Sequence, residues 1–154
     1  MTAPLDRTAI ARLIPHSGAM CLLDEILAWD AATISCRTAS HREPGNPLAR
    51  GGQLAAICGI EYAAQAMAVH GRLGDMTGGR PVAGYLASVR EVRCEVGRLD
   101  RLSGDLDITA ERLLGDAARV IYRFALVCGT TPVMSGRAAV VLDAGMRSPA
   151  GTSP

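Results

Sequence analysis

Between Leu54 and Val69 the chain is apolar on nearly every face of a helix, and only two strongly polar side chains, Glu61 and Gln65, interrupt it. A helix that is hydrophobic all round belongs in a core. One flat sheet face covers too little of it, so the pattern asks for a sheet that curls around the helix. Glu61 and Gln65 lie four apart and share one helical face with Leu54, Ile57, Cys58 and Ala68. Both are therefore expected to point where the helix is buried. A carboxylate is almost never fully buried without a partner or a chemical role. Burial raises its pKa, and a raised pKa suits a general acid. Read from the residues alone, a structural carboxylate paired with an arginine stands level with that reading.

The segments around this helix read mostly as strands. Thr8 to Ile14 predicts a short amphipathic helix stopped by Pro15. Met20 to Ile26 and Thr33 to Thr38 predict strands, followed by a Pro-, Gly- and Asn-rich loop from Ala39 to Gly52 that carries His41. The long helix is expected from about Gly52 to His70, with Gly71 as its C-cap and His70 on its last carbonyls. After a glycine-rich connector from Gly71 to Pro81, extended segments are expected at Tyr85–Val96, Leu106–Leu114, Ala117–Cys128 and Val133–Leu142. Tight turns between them predict antiparallel pairing. One domain over residues 1–143 results, with a Gly-, Ser- and Pro-rich tail at 144–154 expected to be disordered.

Composition removes several function classes. All 16 basic residues are arginine, so Schiff-base lysine chemistry and a P-loop lysine are excluded. A net charge of +1 and 3% aromatic residues give neither an electrostatic footprint nor a stacking platform for nucleic acid. The five cysteines, Cys21, Cys36, Cys58, Cys94 and Cys128, show no zinc spacing and read as reduced core thiols of a cytoplasmic protein. The apolar helix is too short and too interrupted to insert into a membrane. No metal site and no cofactor are expected.

Several motifs carry a family resemblance. Leu13-Ile14-Pro15-His16 followed by Met20-Cys21-Leu22-Leu23-Asp24, His41 with Pro44-Gly45-Asn46-Pro47, Glu61-Tyr62-Ala63-Ala64-Gln65, and Ser103-Gly104-Asp105-Leu106 are similar in order and type to elements of the 3-hydroxyacyl-acyl carrier protein dehydratases. The chain resembles a divergent branch of that family, found beside polyene-lipid and other secondary acyl-chain pathways. Arg42 and Glu43 set Pro44-Gly45 one residue further from His41 than the family pattern, and the stretch from His41 to Glu61 is longer.

The resemblance implies an α+β hot dog fold, a curved antiparallel sheet wrapped around one long central helix. It implies reversible dehydration of a 3-hydroxyacyl thioester to a trans-2-enoyl thioester, in fatty acid or related acyl-chain biosynthesis. The substrate would ride on acyl carrier protein or coenzyme A. His41 would be the base and Glu61 the acid. Gly45, Asn46 and Gly52 would line the substrate, Gly45 and Gly52 through backbone N–H groups, and Gln65 would orient Glu61. His16, Tyr62 and Tyr85 read as structural. The implied assembly is a homodimer or higher homo-oligomer with sites between subunits, a heterodimer with a related subunit being the lesser case. Two alternatives stand beside this reading: a hot dog thioesterase using Glu61 alone, and a non-catalytic acyl-binding partner subunit.

Overall fold

The computed structural model describes residues 4–14, 18–75 and 84–142. The elements run β1 (Leu5–Asp6), α1 (Arg7–Leu13), β2 (Glu25–Trp29), β3 (Thr33–Thr38), α2 (Gly59–Asp75), β4 (Gly84–Cys94), β5 (Leu106–Gly115), β6 (Arg119–Cys128) and β7 (Thr131–Leu142). Short 3₁₀ turns occur at Gly18–Met20, Ser40–Arg42 and Ala56–Cys58. The strands form one antiparallel sheet in the order β1-β2-β3-β5-β6-β7-β4.

Strand alternation explains how the sheet encloses α2. On β6, Val120, Tyr122, Phe124 and Leu126 turn inward and are buried, while Arg119 and Arg123 face out and are exposed. On β5, Leu106, Ile108 and Ala110 do the same. Against them α2 presents Tyr62, Ala63, Ala66, Met67, Val69 and Leu73, all buried. Strands β3, β4, β5 and β6 all touch this one helix. The expected hot dog architecture is therefore the one formed. Gly59 opens α2 in close contact with β6 and β7: a Cβ there would meet Leu126 Cδ2 at 3.1 Å and Met134 Sδ at 3.2 Å.

The helix does not begin at Gly52. Gly51 and Gly52 take φ of +57° and +75° and form a two-residue turn, closed by reciprocal backbone bonds between Arg50 and Gln53 of 2.8 and 3.0 Å. Two positive φ values in succession are what glycine allows at low cost. Residues 54–56 then pair with the loop after β4. Leu99 N–H donates to the Leu54 carbonyl (2.8 Å), Ala56 N–H to that of Gly97 (3.0 Å), and Leu54 N–H to Asp100 Oδ1 (2.9 Å). These bonds hold the segment extended until the Ala56–Cys58 turn. In consequence Ile57 is 55% exposed instead of buried beside Glu61.

At the other end α2 runs past Gly71 to Asp75, because Leu73 still finds core to bury in. His70 is thus a mid-helix side chain and not a cap. Its Nε2–H donates to the Asp30 carbonyl at 2.8 Å, and its Nδ1 bonds the Tyr122 hydroxyl at 2.7 Å. Strand β2 starts at Glu25, later than Met20, and the two-residue β1 has no sequence signal. Of the five thiols only Cys21 and Cys36 are core; Cys94 is exposed, and all five are free. The expectations for His16 and for the 144–154 tail lie outside the described residues. Among the described residues, no helix is long and apolar enough to cross a membrane and no cluster suits a metal ion.

Candidate active site

His41 sits in the Ser40–Arg42 turn directly after β3 and is 1% exposed. Its Nε2 lies 3.1 Å from the Leu102 carbonyl. A carbonyl only accepts, so Nε2 carries the proton and the neutral ring keeps its lone pair on Nδ1. That Nδ1 is buried and has no hydrogen-bond partner. Burial holds the His41 pKa below the ordinary histidine value and the Arg42 charge adds to this; the Leu102 and Gly104 carbonyls and Asp105 pull the other way. The turn is stapled to the loop before β5. The Arg42 guanidinium donates to the Ser103 carbonyl and, at 2.8 Å, to Asp105 Oδ1.

Glu61 lies in the first turn of α2, where unpaired N–H groups favour a carboxylate. It is half-buried, not sealed as the apolar pattern suggests. Gln65, one turn on and 1% exposed, donates from Nε2 to Glu61 Oε1 (3.2 Å) and to the Met20 carbonyl (2.8 Å), and accepts from Leu22 N–H at 2.9 Å. It thereby ties Glu61 and the segment before β2 to one point on the helix.

The remaining expected residues separate by role. Asn46 is buried, and its bonds run within the loop and to α2. Its Nδ2 donates to the Ser40 carbonyl (2.9 Å) and the Tyr62 hydroxyl (3.0 Å), and its Oδ1 accepts from Leu48 N–H (2.9 Å). Gly45 is exposed on the turn following His41, and Gly52 is exposed in the hairpin turn already described. Tyr62, expected to do no more than pack, is 0% exposed and also bonds Ser40 Oγ at 3.0 Å. Its signal in the sequence is a large polar-tipped ring among alanines, next to Glu61.

A cavity of about 140 Å³ lies between α2 and the sheet, bounded by Ala64, Met67 and Ala68 on the helix and Val120, Tyr122 and Leu142 on the strands. Its lining is mainly apolar, and it starts one helical turn beyond Glu61. Neither His41 nor Glu61 lines it within one chain.

The buried histidines set an acid limit on stability. His41 and His70 are both held below the ordinary value of about 6.5, in each case mainly by burial. The unfolded chain therefore takes up protons first, and stability present above about pH 6.5 is lost as pH falls through the depressed folded values. Thermal midpoints measured from pH 8 to pH 5 should fall below pH 6.5. His70→Gln should flatten that fall while lowering the midpoint at every pH. A midpoint constant down to pH 5 contradicts this.

An antiparallel sheet wound around one long helix defines a hot dog fold, here with a histidine after a central strand and a glutamate in the first helical turn. The chain belongs to the ApeP-like family, described as ApeP dehydratase, whose model matches residues 8–147. Among solved structures, the dehydratase heterocomplex ApeI:P from Xenorhabdus doucetiae is similar at 24% identity and a TM-score of 0.76, over 86% of this chain and 90% of that one. Zebra fish thioesterase superfamily member 2 is similar at 13% identity and TM-score 0.62, over 88% and 94%. A hypothetical thioesterase with coenzyme A from Streptococcus pneumoniae TIGR4 follows at 12% and 0.55, over 76% and 83%. No curated protein matches in sequence.

Proposed function

We propose that the protein dehydrates a 3-hydroxyacyl thioester reversibly to the trans-2-enoyl thioester in the cytoplasm, with His41 as base and Glu61 as acid. The observation that carries this reading is the buried, unpartnered Nδ1 of His41 beside an Nε2 fixed on the Leu102 carbonyl. A neutral imidazole with one lone pair committed to nothing is a base in waiting. In the reaction His41 removes the proton on the carbon next to the thioester carbonyl. The bond from the next carbon to its hydroxyl breaks, a carbon–carbon double bond forms, and Glu61 delivers the proton that turns the leaving hydroxyl into water. Gly45, an exposed residue four positions past His41, is assigned the backbone donor to the carbonyl oxygen. Asn46 fixes the loop in this reading, and Gly52 drops out because its turn is not a helix start.

In a single chain the His41 ring is closed to solvent and neither it nor Glu61 lines the apolar cavity, so this reading takes the working site to be completed by a second subunit. The eleven residues of β4 form an edge of the sheet, with Leu86, Ala87 and Ser88 exposed. So long an open edge invites another strand. We assign it to a second hot dog subunit, a copy of this chain or a relative, with His41 and Glu61 of different subunits facing one another. The sealed ring also favours a second reading, a non-catalytic partner in a heteromeric dehydratase. The test is conversion of short, medium and long 3-hydroxyacyl thioesters on acyl carrier protein and on coenzyme A, by the chain alone and with a related subunit, with free thiol measured in parallel. Enoyl product from the chain alone supports the first reading and product only from the mixture supports the second. Thiol release without enoyl product points to a thioesterase.

The acyl chain is assigned to the cavity beyond Glu61. Ala68→Trp should fill it and lower turnover of long chains about tenfold or more while sparing short ones. Equal loss at all lengths, with the melting curve preserved, rules this assignment out.

A further inference from the structure

We propose that Tyr62 is a positioning residue for His41: its hydroxyl locks the turn that carries His41 to the helical turn that carries Glu61. This inference rests on the dehydratase reading for its kinetic arm only. Tyr62 follows Glu61 in α2, and Ser40 precedes His41 in its 3₁₀ turn. Tyr62 Oη lies 3.0 Å from Ser40 Oγ and 3.0 Å from Asn46 Nδ2. The direction of each bond is fixed. Ser40 spends its proton on the Leu22 carbonyl at 2.7 Å, so it accepts from Tyr62, and the Asn46 amide donates to Tyr62. The hydroxyl is thus bonded both to the Ser40 side chain and to the loop that follows His41.

The His41 ring depends on this anchor. Its one side-chain hydrogen bond is to the Leu102 carbonyl, so the direction of Nδ1 follows the placement of the Ser40–Arg42 backbone. Beside the bonds of Ser40 to Leu22 and to the Asn46 amide, that backbone is held from two sides. On the outside Arg42 grips Ser103 and Asp105, and on the inside Tyr62 grips Ser40 and Asn46. The inner tie is dry, since Tyr62 is 0% exposed, Ser40 4% and Asn46 7%. A buried bond of this kind is costly to leave unmade. Removing it leaves one Asn46 N–H without a partner and takes one donor from Ser40 Oγ, which keeps its bond to the Leu22 carbonyl, and the turn must shift or admit water to satisfy the amide. Arg42 and Asp105 are the charged groups that face His41, and neither is altered by the change.

The test uses Tyr62→Phe, Ser40→Ala and the double variant. Imidazole NMR titration of His41 gives a readout independent of turnover. Wild type should titrate below an ordinary histidine because of burial, and Tyr62→Phe should move the value up as water reaches the ring. In the dehydration assay the same variant should lose about 10- to 100-fold in kcat with KM little changed, as expected when a reacting group is displaced by about 1 Å. Its acid limb should move to higher pH with the titration. The two single changes share the Tyr62–Ser40 bond and each cuts others of its own, Asn46 to Tyr62 in one and Ser40 to Leu22 in the other, so the loss in the double variant should fall short of the product of the single losses. An unchanged His41 titration in Tyr62→Phe, or fully multiplicative losses in the double variant, overturns the proposal. If Tyr62→Phe does not melt cooperatively, Ser40→Ala decides, since it leaves the Tyr62 ring in the core. Wild-type protein that titrates as expected but dehydrates nothing defeats the functional reading and leaves the titration to judge Tyr62.

Discussion

Glu61→Gln is expected to lower dehydration by about 10²- to 10⁴-fold, the usual worth of a positioned general acid, without unfolding the protein. The amide is nearly isosteric with the carboxyl group. Its carbonyl oxygen can still accept from Gln65 Nε2, which lies 3.2 Å from Glu61 Oε1. Gln65 keeps its bonds to Met20 and Leu22, so the clamp on the N-terminal segment survives. What disappears is the proton for the departing hydroxyl. Loss of that group should appear in kcat, because the bond to the hydroxyl breaks in the transition state and not in the bound ground state. A rise in KM at constant kcat would instead mark Glu61 as a binding residue. Activity within twofold of wild type removes it from the reaction.

The sequence made the β-rich half of this fold legible and misplaced the helix, for different reasons. Thr33–Thr38 is a strand at those bounds, and Leu106, Val120 and their alternating successors turn inward as period-two patterning requires. Those signals are local. The start of α2 is not. Leu54, Ala55 and Ala56 are good helix residues, yet they are held extended by Gly97, Leu99 and Asp100, more than forty positions away. The same holds for His70, whose proximity to Gly71 suggests a helix end until Tyr122 and Asp30 engage it. At the site, Glu61 with Gln65 is visible as a spacing on one helix, and their bond forms. The tie from Tyr62 to Ser40 is invisible, because nothing in the residues between them announces that a loop will bring a serine hydroxyl to that ring.

His41→Gln should cost as much activity as any single change, again about 10²- to 10⁴-fold. Glutamine offers an N–H to the Leu102 carbonyl but no basic lone pair in place of Nδ1, so it separates the base from the anchor. His41→Ala removes both and empties part of a sealed site. It should therefore destabilise by roughly 2–3 kcal/mol besides abolishing the base. The wild-type pH profile gives an independent check. With its pKa held down by burial, His41 stays unprotonated below the point where an exposed histidine would charge. The acid limb of kcat/KM should thus lie below about pH 6.5, and His41→Gln should erase that limb along with the rate. An enzyme that keeps its rate in His41→Gln has taken its base from elsewhere. If the rate then survives only with a related subunit present, the base belongs to that subunit, and the buried imidazole of this chain serves to hold the loop on which the partner's site is built.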